Sequence, residues 1–97
     1  MNNSIVCYEL IKIIKNINEY SLFILKEKLY NYSKTIKEVV SKELYKKLRL
    51  DLETIELELL YGYGDYHIII KEDISKTINN IIDEMSKIKV FKDIIYV

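Results

Sequence analysis

The densest group of chemically versatile side chains in the sequence is Tyr61-Gly62-Tyr63-Gly64-Asp65-Tyr66-His67. It combines glycines that would let a phosphate approach the backbone, three aromatic faces on which bases could stack, a carboxylate and the chain's single histidine. A phosphate loop, however, places its glycines at the opening of a helix beside a basic residue, and here the neighbour is an acid. One histidine and one carboxylate two residues apart complete neither a metal site nor a catalytic relay. Turn chemistry with aromatic packing across two strands is the simpler reading. Cys7 is the only cysteine, which excludes an internal disulfide and a metal site built on several thiolates, and it reads as a small buried hydrophobe. No Ser–His–acid spacing, paired metal ligands or cofactor fingerprint occurs. No catalytic residue, metal or cofactor is therefore assigned, and the class expected is a non-enzymatic binding protein.

Charge supplies the other candidates. The chain is neutral overall, with 15 basic and 15 acidic residues, but unevenly so. From Lys26 to Arg49 eight basic residues stand against three acidic, a net +5; from Leu50 to Asp73 one stands against seven, a net −6. An ionic partner should touch one of these two segments. Lys34, Lys37, Lys42, Lys46 and Arg49 are the residues that would meet a nucleic-acid backbone, with Tyr30, Tyr32 and Tyr45 among them. Glu53, Glu56, Glu58 and Asp65 are those that would meet a basic protein surface. Each group also has a plainer explanation, as a solvated lysine face and as the wet side of an antiparallel strand.

These residues need elements to position them. At 97 residues the chain is expected to form a single domain, residues 1–97, with one core. Alanine, glutamine, proline and tryptophan are absent and fourteen of the fifteen basic residues are lysine, the imprint of an AT-rich genome; apolar spacing therefore outweighs helix propensity as a guide. Glu53 to Lys71 reads as a β-hairpin: Ile55, Leu57, Leu59 and Tyr61 alternate with Thr54, Glu56, Glu58 and Leu60, Tyr66, Ile68 and Ile70 return, and Gly62 and Gly64 occupy the bend. Before it, the spacing predicts helices over Ser4–Ile17, from the break at Asn16–Glu19 to about Ser33, and over about Thr35–Leu50. A strand at Ile5–Leu10 is the alternative for the first, and would turn the fold towards a βαββαβ sandwich. After it, Asp73 is placed to cap a helix over Ile74–Lys87, and the β-branched, aromatic end VFKDIIYV reads as a strand. The fold class is thus α+β: three amino-terminal helices, a hairpin, a long helix and a closing strand, the helices covering one face of a three-stranded sheet. The expected core is Leu10, Ile14, Leu25, Leu29, Leu44, Leu57, Leu59, Ile68, Ile70, Ile78, Ile82, Met85 and Ile95.

In that order of elements the chain resembles winged helix-turn-helix regulators, with Thr35–Leu50 in the place of the recognition helix and Glu53–Lys71 in that of the wing. The resemblance implies a nucleic-acid-binding regulator acting through the basic third helix. The alternative is a protein-binding inhibitor or adaptor, of the kind found in viruses and mobile elements, acting through the acidic hairpin. No apolar run approaches the roughly 20 residues of a membrane span, and the amino terminus lacks the pattern of a signal peptide, so no membrane partner and a cytoplasmic location are expected. The abundance of Ile and Tyr for so small a chain points to a homodimer.

Overall fold

The computed structural model describes residues 2–96, with side chains through residue 87. Helix α1 spans Asn3–Lys15 and is followed by a 3-10 turn at Ile17–Glu19; α2 spans Leu22–Val39, α3 Lys42–Tyr61 and α4 His67–Tyr96. The α+β expectation is overturned, because no strand or sheet occurs among the described residues. The helices form a bundle in which each packs on the next and α4 returns beside α1. Short connections force antiparallel neighbours. The cross-helix contacts agree: Ser41 meets Glu84 and Lys47 meets Asp73, while the Cys7 sulfur lies 3.7 Å from the Ser86 hydroxyl.

Side-chain caps start the first three helices. Asn2 accepts the Ser4 amide at 2.7 Å, Ser21 the Ile24 amide and Ser41 the Leu44 amide, both at 3.2 Å, each replacing a partner that the first helical turn lacks. The break between the second and third helices therefore falls at Val40–Ser41, not near Ser33. Ser33 donates its hydroxyl to the Tyr30 carbonyl within the same helix, and Ile36 extends the buried stripe of Leu22, Leu25 and Leu29. Glu84 of α4 accepts the Ser41 amide at 2.9 Å, so the turn is held from across the bundle.

Glu53–Lys71 is not a hairpin of strands but two helix ends joined by a loop. The physical reason lies upstream: Leu44, Leu48, Leu52 and Ile55 continue one buried helical stripe through a stretch with no proline or glycine to stop it. The segment after it is rich in Leu and Glu, both good helix formers. Of the hairpin's supposed inner face only Ile55 and Ile70 are buried; Leu57 is 58% exposed and Ile68 74%, and Leu59 is exposed as well. On the return, Ile70 lies four residues before Ile74 and joins the stripe of Ile74, Ile78, Ile81 and Met85. Asp73 is thus inside α4 and caps nothing. The segment expected to close the sheet, VFKDIIYV, is helical through Tyr96, while the side chain of Ile95 lies outside the described residues. Ile14 and Ile82 pack at the margin of the core, and Leu10, Leu25, Leu29, Leu44, Ile70, Ile78 and Met85 lie within it. The amino-terminal segment is helix, without the alternative strand.

Candidate functional site: the α3–α4 groove

The seam between α3 and α4 is locked by one buried carboxylate. Asp51, 5% exposed, accepts the Thr77 hydroxyl and the Lys47 ammonium, both at 2.5 Å, and the same ammonium reaches Asp73 at 3.0 Å. Burial raises the Asp51 pKa above the ordinary carboxyl range, against the opposing hydrogen bonds from Lys47 and Thr77. Asp73 is half in water, and the Lys47 hydrogen bond lowers its pKa. Every buried side-chain polar atom among the described residues has a partner. The register of the two helices is therefore tied to a satisfied network.

Towards the hairpin tip the seam changes character. Gly62 ends α3, and the loop to His67 is pinned by the Glu58 carboxylate, which accepts the Gly64 amide at 3.2 Å and lies 3.8 Å from His67 Nε2. A Cβ on Gly62 would collide with that carboxylate, whereas Gly64 needs its freedom for a φ of +91°. Beside this loop Leu57 and Tyr61 of α3 face Tyr66 of the loop and Ile69 and Ile70 of α4 across a groove of about 490 Å³. A second depression of about 310 Å³ shares Thr54, Ile69 and Ile70 with it and runs on to Asp51, Glu72, Asp73 and Lys76. From tip to Asp51 the groove extends about 15 Å, nearly three helical turns at the usual rise. Its walls are apolar at the tip and polar at the inner end.

The groups singled out from sequence are distributed as follows. Lys34, Lys37, Lys42, Lys46 and Arg49 are all exposed, but they belong to two helices, the first two on α2 and the others on the opening half of α3. The Lys37 ammonium stands 5.7 Å from the Tyr45 ring centre and joins the two sets. Among the acids, Asp65 borders the groove, whereas Glu53, exposed one turn before Leu57 on α3, is not one of its lining residues. Glu56 is exposed but about 100° round the helix from Leu57, and Glu58 is turned inward to hold the loop. The hairpin-turn cluster Tyr61–His67 is the interhelical loop with its flanks, and Asp65 and His67 share no strand face. Among the described residues no group of three or more His, Cys, Asp or Glu side chains is gathered as metal ligands, and no helix is long and apolar enough to cross a membrane.

Sequence reasoning missed Tyr61, Tyr66 and Ile69 as groove walls. Their signal was present: Leu57 and Tyr61 are four apart and Tyr66 and Ile69 three apart, the spacings that share a helix face. No protein-family model matches the chain, and no curated protein or solved structure matches it either.

Two outcomes test this geometry. Gly62→Ala should destabilise the fold by about 1 kcal/mol by expelling the Glu58 carboxylate from the loop. In a Glu58→Ala background the same change should cost much less; equal costs in the two backgrounds, read from urea midpoints, would show that the loop is not held this way. Because the folded-state pKa of Asp73 is depressed, its contribution is present above its unfolded value and lost as pH falls through the folded one. Asp73→Asn should therefore lower stability at neutral pH by about 1 kcal/mol or less, given its exposure. That difference should close as the pH drops below about 4, and a difference independent of pH contradicts the assignment.

Proposed function

We propose that the chain is a small protein-binding module that takes one cationic amphipathic helix of a partner into the groove between α3 and α4. The observation that carries this reading is the uncovered apolar wall at the tip. Tyr61 is 76% exposed, Tyr66 and Ile69 are each 60%, and Leu57 extends the same surface. Together with Tyr63 they form an exposed, largely aromatic and aliphatic patch at the tip, the kind of surface that marks an interaction site. A two-helix tip offers one long furrow, and a third helix lying in it would seat apolar anchors at i, i+4 and i+7 over the available length.

Charge selects the occupant. Asp65 and Glu72 line the groove, with Lys76 at its inner end, and neither of these two carboxylates forms an ion pair among the described residues, in contrast to Asp51 and Asp73, which share Lys47. Lysines or arginines flanking the apolar anchors of an incoming helix would meet these carboxylates at the rim. A second copy of the chain fits less well, because a two-fold axis through the groove sets the same carboxylates opposite one another. This is the protein-binding alternative expected from the acidic segment, relocated from a strand face to a helical groove.

The test uses two synthetic helical peptides with leucines at i, i+3, i+4 and i+7, one carrying Lys at the flanking positions and the other Glu, titrated calorimetrically. The Lys peptide should bind, more weakly as salt rises, and the Glu peptide should not. Ile69→Asp, an exposed change that leaves the helical signal intact, should weaken binding at least tenfold. Equal binding of both peptides, indifference to Ile69→Asp, or a free chain that sediments as a dimer until Ile69→Asp dissociates it, each overturns the reading.

A further inference from the structure

The outer face of α2 carries a second pattern that the groove does not use. Phe23, Lys26, Tyr30, Lys34 and Lys37 follow one another at steps of three and four residues, and so fall on one side of the helix within about 80° of arc. Phe23 and Tyr30 are exposed although the stripe that faces the core, Leu22, Leu25, Leu29 and Ile36, is complete without them. The stripe does not end with α2. Lys37 stands over the Tyr45 ring of α3, and Lys42, Lys46 and Arg49 flank Tyr45 on the solvent side of that helix. None of these six cations forms an ion pair with a carboxylate among the described residues, whereas Lys12, Lys47 and Lys87 all do. The result is a surface crossing two helices for about 20 Å along α2 on which these six cations outnumber the exposed Glu27, Glu38 and Glu43, with aromatic rings set at intervals between the charges.

We infer that this α2–α3 face binds single-stranded nucleic acid. The cations supply a track for phosphates, and each phosphate neutralised releases counterions irrespective of sequence. Exposed rings interleaved with cations are the other half of a single-strand platform, because an unpaired base offers a π face for stacking. A duplex keeps its bases stacked inward and leaves such rings without a partner. The face is also broad and shared by two side-by-side helices, which does not suit entry of one helix into a major groove. An anionic membrane would be drawn to the same lysines, but the aromatic residues here are spaced among the charges rather than gathered on a separate apolar face.

Fluorescence anisotropy with a labelled oligothymidylate, a duplex of the same length, and competing phosphatidylserine vesicles separates these cases. The oligothymidylate should bind at low salt, with the logarithm of its binding constant falling linearly against the logarithm of salt concentration, and should outbind the duplex. Lys34→Ala and Lys37→Ala should each flatten that slope by about 0.7. Tyr30→Ala and Phe23→Ala should each weaken binding on the order of tenfold, while Tyr8→Ala, an exposed ring on α1, should leave it unchanged. All these side chains are exposed, and circular dichroism checks that each variant folds. Absence of binding at low salt, preference for duplex or vesicles, or equal binding by the Tyr30 and Tyr8 variants overturns the inference. The groove peptides report separately, since none of these residues borders the groove.

Discussion

The arrangement rests on one ammonium group held between two carboxylates. Lys47 reaches Asp51 within its own helix and Asp73 on the next, and Thr77 completes the coordination of the buried Asp51 oxygen atoms. Asp51 is almost fully buried, so its charge is tolerable only where both donors are in place. A slide of α4 along α3 by a single turn, about 5.4 Å, would leave Asp51 its Lys47 ammonium but carry the Thr77 hydroxyl and the Asp73 carboxylate out of reach. The lock therefore fixes which residues of the two helices meet further along: Leu57 and Tyr61 opposite Tyr66 and Ile69, and Ser41 opposite Glu84. Groove and turn are both consequences of that register.

Much of the bundle was legible in the apolar spacing. The stripes through Val6, Leu10 and Ile13, through Leu22, Leu25 and Leu29, and through Ile74, Ile78 and Met85 each predicted a helix, and each is buried. The failure lay in one stretch that carries two periods at once. Ile55, Leu57, Leu59 and Tyr61 alternate, yet Leu48, Leu52 and Ile55 continue a helix, and alternation within a Leu- and Glu-rich segment is a weaker signal than an unbroken stripe. The two glycines were correctly placed in a turn, but a turn joins helices as readily as strands. The second boundary was misplaced for a related reason: Ser33 resembles a cap but bonds back into its own helix, while Ser41, with Glu84 behind it, does the capping. No local pattern could reveal a carboxylate arriving from 43 residues away.

The uneven charge survives the change of fold, since it is a property of segments and the segments remain contiguous. The basic segment occupies α2 and the first half of α3, and the acidic one the second half of α3 with the start of α4. What altered is the geometry of the acidic residues. On a strand, Glu56 and Glu58 would share a face; on the helix, Glu58 turns under the loop and Glu56 goes to the flank, leaving Asp65 and Glu72 on the groove. With the wing absent, the resemblance to winged helix-turn-helix regulators has no structural counterpart, and the lysines must be weighed as a surface of two helices. The molecule carries two dissimilar faces, an apolar furrow edged with acids and a basic plane set with aromatic rings.

The account depends above all on residues 51–71 being two antiparallel helices in the register set by Lys47. Backbone nuclear Overhauser spectroscopy of the labelled chain addresses this directly. Strong sequential amide–amide contacts are expected from Glu53 through Leu60 and from Ile68 through Asp73, with long-range contacts between the side chains of Asp51 and Thr77. Cross-strand α-proton contacts pairing Leu59 with Ile68, or Leu57 with Ile70, would contradict the helical hairpin and remove both the groove and the lock on which it depends.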